Sequence, residues 1–103
     1  MFRLLLDRMR RGAPEADAKL RPARDVLTAE RDGVAVLLDL RHAVYIGLDE
    51  VGTLAWHEIE RGATAETLAA RVCEEYEVPR EAVRADMQRF IADLRRKRLV
   101  VNA

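Results

Sequence analysis

The sequence has a single cysteine, Cys73, and so cannot form an intramolecular disulfide. That suits a reducing compartment and points to the cytoplasm. A lone thiol acts as a nucleophile only with a base to activate it, and neither His42 nor His57 is placed to pair with it. Cys73 reads instead as a small apolar filler on a helix flank. No apolar run is long enough to span a bilayer. The opening Met1-Phe2-Arg3-Leu4-Leu5-Leu6 is cut short by Asp7, Arg8, Arg10 and Arg11, too soon for the apolar region of a signal peptide. Excess charge is missing as well. Eighteen Lys and Arg balance eighteen Asp and Glu, which argues against a strongly basic nucleic-acid binder unless the charge is segregated on one face.

Motifs for catalysis and cofactors are absent too. No set of His, Cys, Asp and Glu has metal-ligand spacing, and His57-Glu58 lacks the second histidine of a zinc-protease helix. The five glycines are scattered, so there is no phosphate-cradling loop. The acidic residues fall mostly at helix-surface positions. We therefore expect no catalytic residues, no metal and no cofactor.

What remains is a chain of 103 residues, half of them apolar, which is one small domain with or without a tail. Residues 1–12 read as a short basic helix, with Phe2, Leu5, Leu6 and Met9 at helical spacing. Gly12-Ala13-Pro14 ends it, and residues 13–24 read as a connector, giving a domain over 25–103. The period then changes. Val26 to Glu30, Val34 to Leu40 and Ala43 to Leu48 read as three strands of an antiparallel meander, with turns at Arg31-Asp32-Gly33 and Arg41-His42. From Asp49, an N-cap residue, the pattern is helical: Val51, Leu54, Ala55 and Ile59 make one stripe, and Gly62 closes the helix. Thr64 can cap a second helix carrying Leu68, Ala69, Val72 and Tyr76. Pro79 suits the first turn of a third helix. Its apolar stripe is Val83, Met87, Phe90, Ile91 and Leu94; on a wheel Val83, Met87, Phe90 and Leu94 form the buried centre, Asp86, Asp93 and Lys97 one flank, and Arg84, Ile91 and Arg95 the other. Trp56 and Tyr76 read as core, and Leu99-Val100-Val101 as a strand-like tail. Segregated strands and helices make an α+β fold, with the parts of a winged helix.

Besides an adaptor that binds only other proteins through the N-terminal helix, two binding functions fit such a fold. One is nucleic-acid recognition by the third helix. Its basic cluster Arg95-Arg96-Lys97-Arg98, however, sits where the helix dipole favours cations without any ligand. Its N-terminal half interleaves Arg80, Arg84, Gln88 and Arg89 with Glu81 and Asp86. The other is peptide capture. If the meander keeps sequential order, its third strand lies at an edge whose free N–H and C=O groups can take an added strand. The same edge could be covered by the N-terminal segment, and the residues alone leave both readings open.

An ordered set of residues resembles a known family. Asp39-Leu40, Tyr45-Ile46-Gly47-Leu48-Asp49, Val51-Gly52, Trp56, Gly62, Thr64, Leu68, Tyr76-Glu77-Val78, Asp86, Leu94 and Leu99-Val100 follow the pattern of the PqqD family. These are the RiPP recognition elements, which include stand-alone proteins of the lasso-peptide B1 type. The resemblance runs from Asp39 to Val100 and leaves residues 1–24 outside it. It implies a winged-helix-like arrangement of a three-stranded sheet and three helices. It also implies that the leader of a ribosomally made precursor peptide binds as an added strand, presented to a leader peptidase, a cyclase or a radical SAM enzyme. The strand contact would fall on Val44, Tyr45, Ile46 and Gly47, and the helix wall on residues among Val83, Asp86, Met87, Phe90 and Asp93. No nucleic acid and no membrane are expected as partners.

Overall fold

A computed structural model describes residues 18–103; the helix read over residues 1–12 lies outside the described part. The elements are β1 (Leu20–Pro22), β2 (Val26–Arg31), β3 (Val34–Asp39), β4 (Val44–Gly47), α1 (Glu50–Glu60), α2 (Ala65–Glu75), α3 (Arg80–Arg96) and β5 (Val100–Asn102). Strands β2, β3 and β4 form an antiparallel meander in that order. This is the α+β, winged-helix-like arrangement of a three-stranded sheet followed by three helices.

Local chemistry sets each boundary. Asp32 and Gly33 both have positive φ, 54° and 82°, as a two-residue hairpin between right-twisted strands requires. Strand β3 alternates: Ala35, Leu37 and Asp39 point inward, and Val34, Val36 and Leu38 are only partly buried. The Asp49 carboxylate caps α1 by accepting from the Gly52 N–H at 2.7 Å. Thr64 and Thr67 form a reciprocal capping box at the start of α2. Pro79 occupies the N-cap position of α3 rather than its first turn, with no side-chain cap bond.

The core gathers Leu20, Leu37, Trp56, Ile59, Leu68 and Leu99, all essentially without exposure. Each such burial contributes on the order of 2 kcal/mol. Trp56 could bury its indole because the Nε1–H donates to the Thr28 hydroxyl at 2.8 Å. Ala35 uses its N–H on the Thr53 hydroxyl, at 2.9 Å, which explains why a threonine is buried on α1. Tyr76 is only half-buried at the margin of the core.

Two elements differ from the sequence reading. Residues 20–22, read as part of a connector, form β1, which pairs antiparallel with β5. Leu20 also exchanges backbone hydrogen bonds with Ala63 between α1 and α2. On α3 the buried face is Val83, Met87, Ile91 and Leu94, so Ile91 belongs to the core and Phe90 to its edge. The buried arc is thus rotated by part of a turn toward α2, which packs against α3.

Candidate functional site

β4 is an edge strand: one side pairs with β3, and no strand pairs with the other among the described residues. The register settles which groups it leaves open. Leu48 N–H donates to Ala35 C=O at 2.9 Å, making Leu48 and Ala35 a hydrogen-bonded pair. The pairs Ile46–Leu37 and Val44–Asp39 follow at steps of two and share that orientation. Tyr45 and Gly47 therefore direct their N–H and C=O away from β3, to the open side.

Side chains along β4 alternate as well. Val44 and Ile46 share the inner face with Leu37 and Asp39, whereas Tyr45 lies on the outer face with 78% of its surface exposed. Beneath the inner face, a cleft of about 460 Å³ separates β4 from the last turn of α3, bounded by Asp39, His42, Val44, Ile46, Lys97 and Arg98 among others. At the other end of β4, the Phe90 ring lies over Gly52. A Cβ on Gly52 would come within 3.5 Å of Phe90 Cε1, 3.4 Å of Leu48 Cβ and 3.1 Å of Asp49 Oδ1. The tight approach is to the capping carboxylate of Asp49, while the ring would meet a Cβ at ordinary contact distance. A separate apolar cavity of about 220 Å³, between the end of α2 and the N-terminal half of α3, is lined by Val51, Tyr76, Val78, Val83, Asp86 and Met87 among others.

These positions identify the flank of α3 that borders the β4 edge. It is the side carrying Phe90 and Lys97, with Asp86 and Asp93 on the same arc of the helix. The expected strand residues Val44, Tyr45, Ile46 and Gly47 lie together on β4. The expected helix residues divide. Val83 and Met87 are buried and form the floor of the apolar cavity. Phe90 is part-exposed at the rim. Asp86 and Asp93 are exposed and ion-paired to Arg89 and Arg96, one turn along their own helix.

The sequence reading did not single out a polar hub at the foot of this cleft. Asp39 is buried, and its carboxylate accepts from the Arg41 backbone N–H at 3.1 Å, from Arg41 Nε at 3.0 Å, and pairs with His42 Nδ1 at 2.8 Å. The Arg41 side-chain hydrogen bonds first, and that of His42 second, hold this carboxyl well below the usual carboxylate range, against the opposing effect of burial. Arg41 also donates to the Arg98 carbonyl at 2.6 Å, joining the β3–β4 turn to the end of α3. The signal was present in the sequence. An aspartate on the inward phase of a strand must be paired, and arginine follows two positions later.

Among the described residues, no group of three His, Cys, Asp or Glu is arranged to hold a metal ion, and no helix is long and apolar enough to cross a membrane. Cys73 is free and partly buried beside the core.

No curated protein matches the chain. Among solved structures it is similar to TbiB1 in complex with the TbiA(beta) leader peptide, at 35% identity and a TM-score of 0.74, over 78% of this chain and 93% of that one. It is also similar to a lasso peptide synthetase B1 complexed with the leader peptide, at 25% identity and a TM-score of 0.74, over 82% of this chain and 99% of that one. The model of the family described as coenzyme PQQ synthesis protein D matches residues 35–100, from the second strand of the meander to the first residue of β5. The chain belongs to the PqqD family.

Proposed function

We propose that this protein binds the leader segment of a ribosomally synthesised precursor peptide as a fourth strand along β4 and presents the precursor to processing enzymes. The observation that carries this reading is the open edge of β4. Tyr45 and Gly47 direct backbone donors and acceptors outward, directly above a cleft walled by α3. Strand addition satisfies those groups, and pockets for alternate side chains supply selectivity. Val44, Tyr45, Ile46 and Gly47 make the strand contact. Phe90 and the cavity over Val83 and Met87 supply the apolar wall, and Asp86 and Asp93 border it. Both solved relatives were captured with leader peptides, which supports the same ligand class here.

The protein contributes no chemistry of its own. It acts in the cytoplasm as a non-catalytic module, and a leader peptidase, a cyclase or a radical SAM enzyme modifies or cuts the tethered peptide. Tethering turns that step into an effectively intramolecular one. A nucleic-acid role fits the helix less well. Arg84 is paired with Glu66, Arg89 with Asp86 and Arg96 with Asp93, so much of the basic charge on α3 is neutralised in place.

The test is a fluorescence titration of the full chain with the labelled leader of the nearest precursor gene, at low and high salt. Saturable binding that survives high salt is the expected result. Absence of peptide binding, together with salt-sensitive binding to duplex DNA, overturns the proposal.

A further inference from the structure

The cleft below β4 is unlike the apolar cavity at the N-terminal half of α3. Its floor is apolar, from Val44 and Ile46, but its rim carries His42, Arg96, Lys97 and Arg98. Among the described residues the only carboxylate lining it is Asp39, whose oxygens are already engaged by Arg41 and His42. Arg96 is committed to Asp93. Lys97 and Arg98 are exposed and have no carboxylate within ion-pair distance among the described residues. A concave site with low-dielectric walls and uncompensated cations focuses a positive potential.

The backbone at Arg98 adds an independent observation. Arg98 N–H donates to Arg95 C=O and Leu99 N–H to Leu94 C=O, the paired bonds of a Schellman motif closing α3. Its left-handed position is normally glycine, yet here arginine holds φ at 58°. A cation is kept at a conformation that disfavours any side chain, and such outliers concentrate at functional positions.

We propose that this cleft is a subsite for an acidic side chain of the bound peptide, read by Lys97 and Arg98. The inference rests on strand addition along β4. A residue of the added strand whose side chain points to the inner face, beside Val44 and Ile46, enters the cleft next to both cations. A carboxylate there gains charge-assisted hydrogen bonds that an amide of the same shape makes only weakly. A single cationic point at the Arg98 end of β4 selects for the register of the peptide as well as its composition.

The experiment is selection of an mRNA-displayed library of random sixteen-residue peptides on the immobilised full chain, with parallel selections on Lys97→Gln and Arg98→Gly. The enriched consensus is then synthesised with fluorescein and titrated. The expected consensus has one position held by Glu or Asp. Glu→Gln at that position weakens binding about fivefold to the parent, and less than about twofold to the Lys97→Gln/Arg98→Gly double variant. Arg98→Gly relieves the left-handed backbone, so its thermal midpoint is expected to equal or exceed the parent's, separating lost recognition from lost folding. Enriched peptides without an acidic position, or an acidic preference unchanged in the variants, overturn the subsite and leave strand addition standing. Failure to enrich any peptide overturns strand addition and the subsite together.

Discussion

His57 on α1 stands between two carboxylates, with Nε2 at 2.6 Å from Glu30 on β2 and Nδ1 at 2.9 Å from Glu60 one turn along its own helix. The hydrogen bonds to Glu60 and then Glu30 raise its pKa above the ordinary 6.5, against a smaller opposing effect of burial. A pKa raised in the folded state means that the folded chain holds the proton more tightly. The resulting stabilisation is fully present below about pH 6.5 and is lost as pH rises through the folded value. The ring is 39% exposed, so solvent screening limits the contribution to roughly 0.5 kcal/mol. His57→Gln is therefore expected to lower the urea midpoint at pH 6 and to lose most of that deficit by pH 9. A deficit that stays constant across this range assigns the loss to packing instead of charge.

At the scale of the element, β4 makes a sharp distinction between neighbours. Tyr45 directs its N–H outward and its side chain into solvent, so proline there removes no bond of the β3–β4 ladder, and edge strands accept such a proline. Ile46 directs its N–H into the ladder and its side chain toward the core. Tyr45→Pro is expected to fold with a near-parental circular dichroism spectrum yet weaken leader binding about tenfold or more, since a donor is lost where the ring obstructs the added strand. Ile46→Pro is expected to lower the melting temperature first. A folded Tyr45→Pro variant with parental affinity places the peptide elsewhere. This difference between adjacent residues was not legible in the sequence, which marks β4 as an edge strand but not which of its residues form the hydrogen-bonded pairs with β3. The three meander strands and three helices were legible because their apolar residues repeat at periods of two or near four, and because Asp49, Gly62 and Thr64 mark their ends. Strand β1 was not, because three residues ending in Pro22 carry no period and their partner Val100–Asn102 lies at the far end of the chain. Ile91 was legible as part of the apolar stripe, but its wheel position on a flank did not hold: an ideal wheel gives relative angles, while α2 decides which arc is covered.

At the scale of the molecule, the groove is assembled from parts distant in sequence: β4, the Gly52 step of α1, one flank of α3, and the turn locked by Arg41 to the Arg98 carbonyl. A peptide seated there contacts several elements at once and can do so only when all are in their native places. It therefore binds the folded chain and not the unfolded one, so binding must raise stability. At a free peptide concentration of 100 times Kd the gain is about 2.7 kcal/mol. In a domain this small that corresponds to a rise of about 10 °C or more in melting temperature. The shift should grow with the logarithm of peptide concentration, and it should shrink sharply in Tyr45→Pro at the same concentration. A peptide that binds by titration yet leaves the melting temperature unchanged would have to engage folded and unfolded chains equally. That outcome points to a site outside this groove, because only contacts that exist in the native arrangement can discriminate between the two states.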